Sequence, residues 1–139
     1  MNILFLCVGN SARSQIAEGL AREMFSDKFN IKSAGSKPSG FIHNGAIETM
    51  KEIGIDISFQ TSKSIQDIDD KFLENLDFVI TLCADEVCPV LDNNAKRINW
   101  PNPDPAIKAI NLNQEKKLFR DTRDNIFNML KKFSTENIF

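Results

Sequence analysis

The sequence predicts an α/β fold: a single domain of three layers, in which helices flank a central four-stranded parallel sheet. Short apolar runs alternate along the chain with segments whose apolar residues recur at helical spacing, an order typical of a parallel sheet covered on both faces. The chain has 139 residues, of which 42% are hydrophobic, and this size suits one hydrophobic core. We therefore expect residues 1–139 to form one domain.

The chain begins with a predicted strand, helix and strand. Asn2–Cys7 (NILFLC) is a nearly unbroken apolar run, as in a strand that is buried on both faces. Over residues 13–26 apolar residues recur every four positions, which predicts an amphipathic helix. Residues 29–34 alternate in polarity and precede a glycine, which indicates a second strand beside the first.

The next segments predict helices. A helix is expected over residues 44–53, with Asn44 as its cap, Ile53 on its buried face and a glycine just beyond its end. Residues 65–76 have a mixed pattern, which indicates one short helix and a turn.

The second half of the chain completes the predicted sheet. Residues 78–82 (FVITL) and 96–100 (KRINW) predict the third and fourth strands. The segment WPNPDP at residues 100–105 contains three prolines, which exclude regular structure there. One apolar stripe over residues 114–133 predicts a long closing helix.

Three segments that carry reactive side chains follow predicted strands. Cys7 ends the first strand, Cys83 follows the third, and residues 100–105 follow the fourth. In doubly wound sheets the carboxyl ends of the strands meet at one edge, where ligands bind. We therefore expect these segments to lie together.

Composition excludes several classes of function. The net charge of −2 provides no basic field for nucleic acid or an anionic membrane. No apolar run approaches the roughly 18 residues of a membrane span, and the first residues do not resemble a signal peptide. Three cysteines are too few for the disulfide framework of a small secreted domain. We expect a cytoplasmic monomer that binds neither nucleic acid nor membrane.

The loop after the first predicted strand has the composition of an oxyanion site. Successive amides of a tight loop at a helix N-terminus form a cradle for a tetrahedral anion, and the Arg13 guanidinium matches two of its oxygens. We expect Gly9 to permit the turn. The predicted oxyanion-binding residues are Val8, Gly9, Asn10, Ser11, Ala12 and Arg13.

Cys7 is the candidate nucleophile of this loop. The field that holds an oxyanion also favours a thiolate, and Ser14 is placed to donate a hydrogen bond to the sulfur. The expected reaction is attack of Cys7 on the central atom of the bound anion. A buried structural thiol beside a surface arginine is the alternative.

The sequence resembles a known group of proteins. The segment Cys7 to Ser14 (CVGNSARS) is similar to the phosphate loop of low-molecular-weight protein tyrosine phosphatases and of the thioredoxin-coupled arsenate reductases that share their fold. The resemblance extends over most of the chain, through SAGS at 33–36, AIETMKEIGIDIS at 46–58, TSKS at 61–64, FVITLC at 78–83 and DP at 104–105.

The two branches of this resemblance differ in their cysteines. A phosphatase needs one cysteine, whereas reduction of arsenate needs two electrons that a cysteine pair can supply. The resemblance to the reductases implies that Cys7 attacks arsenate, that Cys83 then attacks Cys7, and that Cys88 passes the disulfide outward. It implies electrons from thioredoxin, ultimately from NADPH, no bound cofactor, and phosphate or sulfate as analogue anions. An inert pair or a metal site remains the alternative for Cys83 and Cys88.

Asp104 and the absence of tyrosine bear on the same choice. A carboxyl presented by the proline-rich segment can protonate a leaving oxygen, although Asp104 can also be a turn residue. The phosphatases have tyrosines after this Asp-Pro, whereas this chain has Ala106 and Ile107 there and no tyrosine. A small inorganic oxyanion therefore suits the predicted site better than an aryl ester does. Two other hypotheses stay open. The protein is a phosphatase, or it is a non-catalytic module that binds an oxyanion or senses redox state.

Asn10, Glu18 and Ser33 are expected to support the loop. The Asn10 side chain is expected to fix the loop by hydrogen bonds to the loop's own backbone, with assistance from Glu18 and Ser33. In some reductases that the chain resembles, the matching residues hold a potassium ion, but Lys63 stands here in place of an acidic ligand. We therefore expect no metal. The sequence assigns no role to His43.

Overall fold

The computed structural model describes residues 1–25, 27–84, 94–106 and 111–137. Its four strands form one parallel sheet in the order β2-β1-β3-β4. The strands are β1 (Asn2–Cys7), β2 (Asn30–Gly35), β3 (Phe78–Thr81) and β4 (Lys96–Asn99). The predictions that concern Ser26, Cys88 and Ile107 lie outside the described residues.

Helices cover both faces of the sheet. They are α1 (Arg13–Met24), α2 (Asn44–Lys51), a 3-10 turn (Ile65–Asp67), α3 (Asp70–Glu74) and α4 (Leu112–Glu136). Alternate residues of β1 enter two separate cores: Ile3 and Phe5 pack with α1, α2 and α4, whereas Leu4 and Leu6 pack on the side of α3. The predicted three-layer α/β architecture with a four-stranded parallel sheet is therefore confirmed.

No helix in the described part of the chain is both long enough and apolar enough to span a membrane.

The cap of α2 differs from the prediction. His43, not Asn44, is the N-cap, and its Nδ1 accepts a hydrogen bond from the amide of Gly45 at 2.9 Å. The imidazole ring also stacks on Phe119 of α4, with the ring centroids 4.9 Å apart. A side chain to which the sequence assigned no role thus joins two helices, because its ring satisfies a backbone donor and an aromatic neighbour at once.

The end of α2 also differs from the prediction. The helix ends at Lys51, and the amides of Ile53 and Ile55 both donate to the carbonyl of Met50 as the chain turns. This turn, with Gly54 at a φ of 81°, leaves Ile53 45% exposed. The expectation that Ile53 lies on the buried face of the helix is therefore wrong.

Gly35 ends β2 directly against the loop that follows β1. A Cβ atom at this position would overlap the carbonyl oxygen of Val8 and would lie 3.0 Å from the amide nitrogen of Asn10. Both neighbours are backbone atoms, which cannot rotate away as a side chain can. Only glycine therefore lets β2 approach the loop this closely.

Replacing Gly35 by alanine should destabilise the protein by about 1–3 kcal/mol, because the added methyl group forces the backbone apart. The free energy of unfolding in urea measures this effect. Gly9→Ala is the matched control, since a Cβ there meets only the Ser11 hydroxyl, at 3.6 Å, and it should change stability by less than about 1 kcal/mol. Equal losses in the two variants would contradict the explanation.

An ion-pair cluster ties the end of α2 to α4. The carboxylate of Glu52 accepts hydrogen bonds from Arg120 Nε and Arg123 Nη1, both at 3.0 Å. Arg123 Nη1 also donates to the carbonyl oxygen of Thr49 at 2.8 Å. The hydrogen bond from Arg120 is the main cause that lowers the pKa of Glu52 to about 2, from its usual value of 4.5.

This shift predicts a pH dependence of stability with a defined sign. The folded-state pKa is lower than the unfolded one, so Glu52 stabilises the fold above about pH 4.5, and the stabilisation is lost as pH falls toward 2. Glu52→Gln should flatten the decline of the melting temperature in this window. Glu48→Gln, an exposed change on α2, is the control for removal of a carboxylate and should leave the decline in this window unchanged.

Candidate active site

The loop between β1 and α1 is held through its carbonyl groups. The carbonyl oxygens of residues 8–11 all accept hydrogen bonds from groups outside the loop. In order along the loop, the donors are the amide of Lys37 at 3.0 Å, the amide of Ser39 at 2.9 Å, the side chain of Gln15 at 3.0 Å and the amide of His43 at 2.9 Å. The segment after β2 therefore runs along the loop and determines which way its peptide groups turn.

Most amides of the same loop have no hydrogen-bond acceptor among the described residues. Within the described part of the chain, the amides of Val8, Gly9, Ser11 and Ala12 donate no hydrogen bond. The turn is made by Asn10, whose φ is 47°, and not by Gly9, whose φ is not positive. The expectation that Gly9 permits the turn is therefore wrong, because the left-handed residue is Asn10. Asparagine tolerates the left-handed conformation, and a left-handed residue in a tight loop turns successive amides to one side, as in anion-binding nests.

The sulfur of Cys7 lies at this loop as a free thiol. Cys7 is the last residue of β1 and is only 2% exposed. The amide of Asn10 donates to its Sγ at 3.2 Å, and the Ser14 hydroxyl lies 2.9 Å from the same atom. Two donors at this distance stabilise a thiolate.

A chain of polar side chains orients the Ser14 hydroxyl. Asn10 Nδ2 donates to Ser14 Oγ at 2.7 Å and to Ser33 Oγ at 3.0 Å, and Ser33 in turn donates to Glu18 at 2.6 Å. Since Ser14 Oγ accepts from Asn10, its own proton is available to the sulfur. Asn10 is oriented by the amide of Lys63, which donates to its Oδ1 at 2.9 Å. The sequence predicts that the Asn10 side chain bonds the backbone of its own loop, and this prediction is wrong. Its partners are Ser14, Ser33 and Lys63 instead.

The buried carboxylate of Glu18 is flanked by two cations. Glu18 is 4% exposed, and Arg22 lies against it with an N–O distance of 3.1 Å. The Lys63 ammonium lies 4.0 Å from Glu18 and donates to the carbonyl oxygen of Thr61 at 2.9 Å. Burial lowers the pKa of Lys63, and the charge of Glu18 opposes this shift.

Arg13 joins the loop to the ends of β3 and β4. The residue is 4% exposed, and its Nη1 donates to the carbonyl oxygen of Asn102 at 2.8 Å and to that of Leu82 at 3.4 Å. Its Nη2 lies 4.0 Å from a carboxylate oxygen of Asp104. The other oxygen of Asp104 accepts from the amide of Ala106 at 3.0 Å, so Asp104 shapes a turn and also faces the loop arginine.

The predicted cysteines are placed at the same edge as far as the structure describes them. Cys83 lies two residues after β3, is 4% exposed and is disulfide-bonded. It follows Leu82, the residue whose carbonyl oxygen contacts Arg13. Cys88 lies outside the described residues. The expectation that Cys7, Cys83 and the proline-rich segment share one edge is confirmed.

Other residues of the site are missed by sequence analysis. Gln15 is fully buried in α1 and supports the loop carbonyl of Asn10, and Gln60 Nε2 donates to Gln15 Oε1 at 2.8 Å. Asn102 is 1% exposed between two prolines. Gln15 lies in the predicted first helix beside its apolar positions, which is the available signal for it, whereas Gln60 and Asn102 lie outside the predicted helices and strands and carry no such signal. Among the described residues, no group of His, Cys, Asp and Glu side chains has a metal-binding arrangement.

Comparison with known proteins agrees with this geometry. The family model for low molecular weight phosphotyrosine protein phosphatase matches residues 2–137. An arsenate reductase of Halalkalibacterium halodurans is 44% identical over 135 residues, which cover 95% of this chain and 94% of that protein.

Two solved structures are similar as well. One is an arsenate reductase in a phosphate-binding state, which is 30% identical, covers 97% of both chains and has a TM-score of 0.78. The other, a thioredoxin-dependent arsenate reductase from Corynebacterium glutamicum, is 26% identical with a TM-score of 0.68, and the match covers 97% of this chain and 62% of that one. With a family model that spans nearly its whole length, this chain belongs to the low molecular weight phosphotyrosine protein phosphatase family.

Proposed function

We propose that this protein is an arsenate reductase in which Cys7 is the nucleophile. One observation carries the proposal: the Cys7 thiol lies 3.2 Å from a loop amide and 2.9 Å from the Ser14 hydroxyl, in a loop whose other amides have no partner in the described part of the chain. Such a site can both ionise a sulfur and hold a small tetrahedral oxyanion against it. Arsenate reductases among the relatives support arsenate as that anion.

In the first step the loop amides and Arg13 bind arsenate, and the Cys7 thiolate attacks arsenic. A sulfur–arsenic bond forms while one arsenic–oxygen bond breaks, and the oxygen leaves as water after taking up protons. Asp104, 4.0 Å from Arg13, is the proposed donor of one of these protons. Arsenic is still As(V) in this covalent adduct.

In the second step a cysteine relay delivers two electrons. The Cys83 thiolate attacks the Cys7 sulfur, a disulfide forms, and the electron pair of the sulfur–arsenic bond goes to arsenic, which leaves as arsenite. Cys88 then attacks Cys83, releases Cys7 as a thiolate and leaves a Cys83–Cys88 disulfide. The present distribution of a free Cys7 and a disulfide-bonded Cys83 matches the state after this relay.

We propose thioredoxin as the external dithiol that reduces the final disulfide, with NADPH as the ultimate electron source. A similar solved reductase is described as thioredoxin-dependent, and a dithiol reduces a disulfide by successive thiol–disulfide exchange. Phosphate and sulfate are the expected analogue anions. Because a working thiol relay requires a reducing compartment, we expect the protein to act in the cytoplasm, as a monomer.

A potassium ion does not fit beside Glu18. The carboxylate already accepts hydrogen bonds from Ser33 and Arg22, and the Lys63 ammonium lies 4.0 Å away. A third cation in this space would be repelled by two neighbouring positive charges. We therefore propose a metal-free site in which Arg22 and Lys63 balance Glu18.

The three single variants Cys7→Ser, Cys83→Ser and Cys88→Ser test the relay. Each should lose arsenite production with thioredoxin, thioredoxin reductase and NADPH by more than about 100-fold, because each removes one sulfur from the exchange sequence. NADPH oxidation and arsenite formation are measured together.

Phosphate affinity is the control for this experiment, since Cys83→Ser and Cys88→Ser leave the loop intact and should bind phosphate like the parent protein. Arsenite production that survives Cys83→Ser or Cys88→Ser would overturn the relay. Vigorous aryl phosphatase activity in both variants, with no arsenite formed by the parent protein, would instead identify a phosphatase.

Replacing Ser14 by alanine should slow the reaction of Cys7 with iodoacetamide at pH 7 by about tenfold or more, because a hydrogen bond to a charged acceptor is worth about 1.5–3 kcal/mol. The measurement uses a protein that carries Cys83→Ser and Cys88→Ser, so that Cys7 is the only thiol. Ser36→Ala, an exposed change just after β2, is the control. An unchanged alkylation rate in Ser14→Ala would show that the hydroxyl does not stabilise the thiolate.

A further inference from the structure

Asn102 is a buried junction between the sheet, α4 and the loop arginine. All four of its polar groups are engaged. Its amide donates to the carbonyl oxygen of Leu82 at 3.1 Å, and its own carbonyl oxygen accepts from Arg13 at 2.8 Å. Its Nδ2 donates to the carbonyl oxygen of Trp100 at 3.0 Å, and its Oδ1 accepts from Asn125 Nδ2 at 2.7 Å.

The neighbours of Asn102 leave its amide as the one backbone donor in the middle of this segment. Pro101 and Pro103 have no N–H group to donate. The Trp100 amide donates to the carbonyl oxygen of Thr81 at 2.7 Å, and between Trp100 and Asp104 the Asn102 amide is the only backbone N–H that can continue this pairing. The side chain of Asn102 supplies the further contacts that orient the segment.

The side-chain orientation is determined by its surroundings. A backbone carbonyl can only accept, so the group of Asn102 that faces Trp100 must be the Nδ2 donor. Its Oδ1 then faces α4, where Asn125 must present a donor. Because Asn102 is 1% exposed, loss of this partner would leave a buried oxygen without a hydrogen bond, which is unfavourable in a protein interior.

We propose that Asn125, on α4, is a positioning residue for Arg13. The inference rests on the proposed function and deepens it. The bridge from Asn125 to Asn102 holds the Asn102 carbonyl oxygen 2.8 Å from Arg13 Nη1, and together with the Leu82 carbonyl oxygen it determines the plane of the guanidinium. A planar fork binds two oxygens of a tetrahedral anion only when its plane is correctly set.

The variant Asn125→Asp tests this role with almost no change of shape. Its carboxylate cannot donate and would face Asn102 Oδ1, so Asn102 must turn and release Trp100. We expect the dissociation constant for inorganic phosphate, followed by NMR titration, to rise by about 5- to 10-fold, the consequence of one lost hydrogen bond to the buried Asn102 side chain. The KM for arsenate should rise by a similar factor.

Asn128→Asp is the matched control. It makes the same charge change one turn further along α4, at an exposed position, and should leave phosphate affinity and arsenate KM unchanged. Asn125→Ala removes the donor without adding a charge and should reproduce the loss of affinity. It also replaces Asn125→Asp if that variant does not fold.

A second comparison separates positioning from general stability. In a protein that already carries Arg13→Lys, the planar fork is absent, so adding Asn125→Asp should change phosphate affinity by less than about twofold. An equal loss in both backgrounds would overturn the inference, as would an Asn125→Asp protein that binds phosphate like Asn128→Asp. A parent protein that binds phosphate but forms no arsenite would contradict the proposed reductase instead.

Discussion

The site depends on the hydrogen bonding of the loop carbonyls. Four successive carbonyl oxygens of residues 8–11 are taken by the segment after β2 and by Gln15 of α1. A peptide group that turns its carbonyl outward turns its N–H inward, so these bonds provide the electropositive cradle before any ligand arrives. Preorganised amides need no reorientation when charge develops, which is why such arrangements are effective in catalysis.

The same constraint explains two features that otherwise look unrelated. Gly35 must lack a side chain because β2 and the loop approach each other too closely for a Cβ atom. Asn10 must accept a φ of 47° because the loop reverses between a strand and a helix within five residues. Its side chain compensates for this conformation with three hydrogen bonds to Ser14, Ser33 and Lys63, so the left-handed residue is among the best anchored of the loop.

Electrostatics at the site are balanced in two separate places. Arg13 supplies positive charge on the side of β3 and β4, with its Nη2 4.0 Å from a carboxylate oxygen of Asp104. Glu18 lies behind Asn10 and Ser33, where Arg22 and Lys63 offset its charge. The buried carboxylate can therefore orient Ser33 and, through Asn10, Ser14 without repelling an anion at the loop. The cradle itself suits phosphate and arsenate alike, so in the function we propose the choice between reduction and hydrolysis depends on Cys83 and Cys88.

The sequence by itself determined the architecture and the reactive edge. The apolar run Asn2–Cys7 and the helical period after it define a strand, a loop and a helix locally, and parallel strands then bring Cys7, Cys83 and Asp104 to one side. Only the tertiary structure decided the hydrogen-bond partners of the buried polar side chains. Asn102 accepts a hydrogen bond from Arg13, which is 89 positions away in the sequence, and Asn125 donates to Asn102, which is 23 positions away. The cap at His43 and the role of Gln15 belong to the same class. The periodicity of the sequence indicates which face of a helix or strand is buried. The hydrogen-bond partner of a buried polar group depends instead on how distant elements pack together, which no local sequence pattern encodes.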